Sequence, residues 1–178
     1  MSNALLHKLA VVMVITTTLN LGCVATWPVT SYESSAGLTA RDISSNYEPG
    51  DARRYKAIGN NSADDTAELQ KMLTANAGRA VVLTPGLTFR IAGTLSVSDG
   101  TTIYAYSATI RQTLNGVPIL QGAGGDKITV LGGTWQGAGS GTAFTDADAG
   151  CIYFNKSGTD DPSDIRIEDA EVYDCSTG

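Results

Sequence analysis

Histidine is almost missing from this chain. The one histidine among 178 residues is His7, close to the N-terminus. Imidazole-based acid–base chemistry therefore has no candidate in the body of the protein. Lysine and aromatic residues are also scarce, whereas glycine is abundant, at 20 residues. That balance disfavours a helical bundle and suits short strands separated by turns. Nor is there an excess of basic charge. The net charge is −6. Residues 23–145 carry nine acids and nine bases, whereas residues 146–178 carry nine acids against Lys156 and Arg166. Phosphate contacts need a basic surface, so nucleic acid is not expected as a partner.

The most uniform apolar run is "LAVVMVITTTLNLGC", behind His7 and Lys8. It is too short to span a bilayer comfortably and suits a secretory leader over residues 1–23. The expected location is therefore outside the cytoplasm, secreted or envelope-anchored. Gly22 before Cys23 is similar to the bacterial lipoprotein signal, in which the cysteine receives a lipid anchor. Two outcomes stay open: lipidation at Cys23, which would hold the protein at a membrane surface, or ordinary cleavage near Ala25. Residues 24–50 lack a sustained hydrophobic period and read as a linker. Residues 51–178 read as one domain.

That domain carries an internal repeat. The segments "TIYAYSATIRQ" from Thr102, "KITVLGGTWQG" from Lys127 and "DIRIEDAEVYD" from Asp164 align. Ile103, Ile128 and Ile165 share a column; Ala105, Val130 and Ile167 share the next. Ala108, Gly133 and Ala170 form a third, and Ile110, Trp135 and Val172 a fourth. A further apolar piece precedes each segment: "TLSV", "VPIL" and "CIYF". Units this small cannot bury their own apolar faces and must stack on their neighbours. The expected fold is all-β, a right-handed parallel β-helix (a solenoid). A sandwich with accidental similarity is the rival.

The stretch "NNSADDTAELQKML" sets two carboxylates side by side, Asp64 and Asp65. D-x-x-E ahead of Leu69, Met72 and Leu73 is a capping-box pattern, with Asp65 accepting from Glu68 N–H and Glu68 reaching back. Asp64 adds negative charge at the positive helix end. The spacing predicts an amphipathic helix over 66–76, stopped by Gly78 and plugging the open end of the solenoid. Paired acids also serve glycosidases, but adjacent residues at a helix start point apart.

These motifs, "DARRYKAIGNNSADDTAELQKML" followed by "AVVLTPGLTFRIAGTLSVSDGTTIYAYSATI", resemble the opening of the pectate-lyase-like superfamily of right-handed parallel β-helices. "ITVLGGTWQG" is similar to that family's "I-x-GGT-I-D-G", with Trp135 and Gln136 replacing an apolar residue and Asp. Gly59-Asn60-Asn61 departs from the family's GDG. The resemblance covers residues 51–178 and implies an exported protein acting on extracellular polysaccharide as a glycoside hydrolase, lyase or epimerase. The alternative is a non-catalytic carbohydrate-binding or adhesive surface protein. The family's N-T-D, D-D, H-G and R-I-K motifs are not found as catalytic sets. Asp160-Asp161 sits in turn chemistry, and "RIE" at Arg166–Glu168 is not R-I-K. The reading is therefore the N-terminal cap and first coils of a longer β-helix, with its catalytic residues unidentified.

Between the core columns, the outward positions form three stripes: Tyr104, Thr129 and Arg166; Thr109, Thr134 and Glu171; Arg111, Gln136 and Tyr173. Carbohydrate contacts are expected from Arg111, Gln136, Glu171 and Tyr173, with a sugar stacking on Tyr173. "TDADAG" superficially resembles a Ca²⁺ loop but lacks the spacing and terminal Glu, so no metal ligand set is assigned; Ca²⁺ at the acids from Asp146 onward stays open, and no other cofactor is expected. Cys151 and Cys175 are an even pair outside the leader. A disulfide and two buried thiols in adjacent coils both remain open.

Overall fold

The computed structural model describes residues 26–123, 126–139, 151–155 and 163–175. Cys23, "TDADAG" and Asp160-Asp161 lie outside the described residues. Helix α1 (Ser31–Ser35) and a 3-10 turn (Ala52–Tyr55) precede strand β1 (Asn60–Asp64) and helix α2 (Thr66–Ala75). Three strands follow: β2 (Ala80–Val82), β3 (Thr88–Ile91) and β4 (Leu95–Ser96). The next three are β5 (Thr102–Tyr104), β6 (Thr109–Gln112) and β7 (Leu120–Ala123). Then come β8 (Thr129–Leu131), β9 (Thr134–Gln136) and β10 (Ile152–Asn155), and finally β11 (Arg166–Glu168) and β12 (Glu171–Tyr173). Among the described residues no helix is long and apolar enough to cross a membrane.

The strands form three sheets, ordered β11-β8-β5-β2, β1-β3-β6-β9-β12 and β10-β7-β4. Each successive set of strands visits the sheets in that same order, and the strand pairings are parallel. This arrangement is compatible with a parallel β-solenoid. Period-2 alternation turns one residue in two inward. Val81, Ile103, Val130 and Ile167 lie side by side, as do Phe89, Ile110, Trp135 and Val172. Val81, Ile103 and Val130 are buried, and so are Phe89, Ile110 and Trp135. Full burial of each such side chain contributes about 1.5–3 kcal/mol. Trp135 also needs a partner for its indole N–H, and Nε1 donates to Gly132 O at 3.1 Å.

Two alignments read from the sequence need correction. Ile103 pairs with Val130, not Ile128, so the first column shifts by two residues; Ile110, Trp135 and Val172 keep the expected register. Tyr104 consequently lies beside Leu131, while Thr129 and Arg166 line up with Thr102. The cause is turn length. Four residues, Ala105–Ala108, join β5 to β6, but only Gly132 and Gly133 join β8 to β9. Both glycines have positive φ, 74° and 84°, and a Cβ on Gly133 would stand 2.9 Å from Ala105 O. A two-residue slip preserves which side chains face inward, so the hydrophobic pattern alone does not detect it.

The predicted helix is present as α2, and Leu69, Met72 and Leu73 are buried. It covers strand edges with side chains. Gln70 accepts from Ser96 N–H at 2.7 Å and donates to Ser96 O at 3.1 Å, as a neighbouring strand would. Thr66 Oγ1 accepts from Ala92 N–H.

Its start differs from the expected capping box. Asp65 makes no side-chain cap to α2, and no reciprocal Glu68 bond forms. Asp65 is buried, and its carboxylate accepts from Ile58 N–H at 2.6 Å and Gly59 N–H at 3.0 Å. It is Asp64 that accepts from Thr66 N–H, at 3.1 Å, and from the Thr66 hydroxyl. The Thr66 side-chain hydrogen bond holds the Asp64 carboxyl below its ordinary pKa. Asp65 faces backward because two amides of the preceding bend point at it.

The reading of residues 24–50 as a linker is also corrected for residues 26–50, which pack on the domain. Helix α1 has the capping box that α2 lacks, between Thr30 and Glu33. Glu33 is fully buried and grips the equally buried Arg54 through two hydrogen bonds of 2.6 and 2.8 Å. The remaining Arg54 donors reach Pro28 O at 2.6 Å, Tyr47 O at 2.9 Å and Trp27 O at 3.3 Å. Tyr55 donates to Glu33, and Asn76 at the end of α2 donates to Tyr55. A buried ion pair holds only when its remaining polar atoms are satisfied, and here backbone carbonyls of the strap satisfy them.

Candidate functional site

The five-stranded sheet presents two outward rows. One runs Asn60, Thr88, Thr109, Thr134 and Glu171; the other runs Asp64, Arg90, Arg111, Gln136 and Tyr173. Both follow from the burial of Phe89, Ile110 and Trp135, which turns their neighbours outward. Parallel strands repeat about every 4.8 Å, so each row offers one side chain per strand at a fixed interval. Arg111, Gln136 and Tyr173 therefore stand in adjacent register, with Glu171 in the neighbouring row.

Arg111, Gln136 and Glu171 each have a local partner that sets the side chain's direction. Arg111 Nη1 donates to Asn61 Oδ1 at 3.2 Å. Gln136 Nε2 donates to Asp174 Oδ2 at 3.0 Å, and Thr134 Oγ1 to Glu171 Oε2 at 3.3 Å. Arg90 stands directly beside Arg111, with its guanidinium 3.5 Å from Ser62 O. Its charge also helps lower the Asp64 pKa, behind the hydrogen bonds from Thr66. Sequence reasoning missed Arg90. The signal was the alternation in "TFRI", one strand ahead of the aligned repeats.

An open groove of about 400 Å³ runs along the C-terminal ends of β6, β9 and β12. Arg111, Gln136 and Asp174 line it, and Gly137, Ala138 and Gly139 form its edge. Its floor is fixed by the buried Gln112. That amide donates to Gly93 O and Pro118 O and accepts from Thr113 and Leu114 N–H. Its Asp174 wall is held by backbone bonds from Gly137 to Tyr173 O and from Gly139 to Asp174 O. Cys151 and Cys175 are joined by a disulfide, with Cα atoms 5.3 Å apart, directly behind that wall.

A second open groove, about 660 Å³, borders the three-stranded sheet. Ser96 and Gln121 line it, and the row they begin continues to Tyr153. The sequence pattern does not mark these positions, because Ser96 and Tyr153 fall in "TLSV" and "CIYF", which read only as core, and Gln121 lies outside the aligned segments.

The carboxylates on the five-stranded face are occupied as acceptors: Asp64 by Thr66, Glu171 by Thr134 and Asp174 by Gln136. Asp64 and Asp65 diverge, one toward α2 and the other toward the bend at Ile58. They do not form a pair flanking a bond. Among the described residues no cluster of three or more His, Cys, Asp or Glu side chains could hold a metal. What the face can do is read a ligand. Two guanidinium groups attract carboxylates, an amide and carboxylates meet hydroxyls, and the exposed Tyr173 ring offers a stacking surface. Comparison with protein-family models, with curated proteins and with solved structures finds no match.

Proposed function

We infer that this chain is a right-handed parallel β-helix of the pectate-lyase-like kind, exported from the cell, whose five-stranded face binds extracellular polysaccharide. The observation that supports the reading is the in-register row Arg90, Arg111, Gln136 and Tyr173. Side chains repeating once per strand suit a ligand that itself repeats along its length. The arginines favour an acidic sugar such as a uronate at one end of the row. Gln136, Glu171 and Asp174 hold hydroxyls at the other, and a sugar ring stacks on Tyr173.

Degradation or modification of the same polysaccharide is the second reading. It is favoured by Glu171 and Asp174 flanking Tyr173 at one end of the face, where an acid and a base would be needed. Attachment to a membrane surface through Cys23 belongs to the same proposal.

Retardation of the protein in native gels containing polygalacturonate, pectin, rhamnogalacturonan or alginate tests the binding reading. Retention by one of these, weakened in Arg111→Ala, supports it; equal mobility with and without every polymer removes it. Parallel assays of reducing ends and unsaturated products decide the second reading. Turnover that disappears in Glu171→Ala would make the protein an enzyme.

A further inference from the structure

The four-stranded sheet carries a different outward surface. Val82, Tyr104 and Leu131 lie side by side in one row that ends at Glu168. Val82 is 40% exposed, Tyr104 39% and the adjoining Tyr106 47%. The next row runs Ala80, Thr102, Thr129 and Arg166. The Tyr106 ring lies against Gly132, where any Cβ would collide with it, so the turn between β8 and β9 leaves room for this ring. An apolar row on the solvent side of a strand face is unexpected, because it contributes nothing to the core.

We propose that this row is a second carbohydrate-contact surface, distinct from the Arg111 face, that takes uncharged sugars. Three features select that ligand. First, the row is one residue wide, whereas a stable protein interface buries about 800 Å² per partner around an apolar centre. Second, tyrosine rings beside a line of threonine hydroxyls match the two characters of a sugar ring, an apolar C–H face and a rim of hydroxyls. Third, among the described residues of its four strands no cation is left free to read a carboxylate. Arg166, its one arginine, is held by Glu168 through two hydrogen bonds of 2.6 Å. Acidic polymers therefore belong to the Arg90–Arg111 face and neutral ones to the Tyr104 row.

The proposal rests on the carbohydrate reading of the protein but not on the same residues, so each can fail alone. The test is mobility of the full chain in native gels containing hydroxyethylcellulose, xylan or galactomannan, beside a polygalacturonate gel. The wild type is expected to be retarded by at least one neutral polymer. Tyr104→Ala weakens that retention about tenfold, Tyr104→Trp keeps it, and neither changes retention by polygalacturonate. Arg111→Ala does the reverse. Thermal melts of the variants establish that they are folded. Unaltered mobility of the wild type in all neutral polymers overturns the proposal, as does equal retention of Tyr104→Ala. Concentration-dependent association of the wild type that Tyr104→Ala abolishes would also overturn it, by showing that the row is a protein interface.

Discussion

Arg54 and Glu33, 21 residues apart in sequence, form a fully buried two-point ion pair, with N–O distances of 2.6 and 2.8 Å. It ties α1 and its flanking strap to the turn beneath α2. Removing one partner leaves the other charge buried and unpaired, which costs far more than the net worth of the pair. Arg54→Ala and Glu33→Ala are each expected to lose about 3–5 kcal/mol in urea unfolding. Replacing both with apolar residues restores part of the loss. Loss below 1 kcal/mol in the single variants would show that the strap does not depend on this pair.

The same pair sets an acid limit. Burial acts to raise the Glu33 pKa, but hydrogen bonds from Arg54, Thr30 and Tyr55 outweigh it and bring it from 4.5 to about 2. A depressed folded pKa contributes stability that is complete above the unfolded value and lost as pH falls through the folded one. About 3 kcal/mol is therefore expected to disappear between pH 4.5 and pH 2. Unfolding curves measured across that window should show the slope in the wild type and lose most of it in Glu33→Gln.

Asp64 and Asp65 separate by mutation. Asp65→Ala strands the amides of Ile58 and Gly59 in a buried site and is expected to cost on the order of 2–4 kcal/mol. Asp64→Ala loses an exposed cap and is expected to cost about 1 kcal/mol. Chemical denaturation of both variants checks the order. The opposite ranking would restore Asp65 as the cap of α2.

Cys151 and Cys175 close a loop with a sequence separation of 24 residues. Cys175→Ser is expected to cost about 3 kcal/mol by the loop-closure argument. Because Cys175 follows Asp174, it should also weaken retention by acidic polysaccharide more than retention by neutral polymers. Melting with and without reductant, followed by gel retardation, measures both effects.

Much of the sheet architecture was legible because burial imposes a period of two on Ile103, Val130, Ile110 and Trp135. The register of β5 on β8 was not, because Gly132-Gly133 makes a shorter turn than Ala105–Ala108 and a slip of two leaves the pattern unchanged. The folding of residues 26–50 was illegible for another reason. Its stability comes from Glu33 meeting Arg54 and three carbonyls, which has no periodic signature. Asp65 was misread because its partners are backbone amides, which carry no side-chain identity. On the candidate face, Arg111, Gln136 and Tyr173 could be aligned from the repeat, whereas Arg90 and the Ser96–Gln121 row lay in pieces read as core or left outside the alignment.

The most direct test of the account is an amide NMR titration of the ¹⁵N-labelled protein with a homogeneous oligogalacturonide. Saturable shifts are expected at Arg90, Arg111, Gln136, Gly137 and Asp174, absent from the Tyr104 row and lost in Arg111→Ala. Saturable shifts confined to Ser96, Gln121 and their neighbours on the three-stranded sheet, or no shifts with any acidic oligosaccharide, would contradict it.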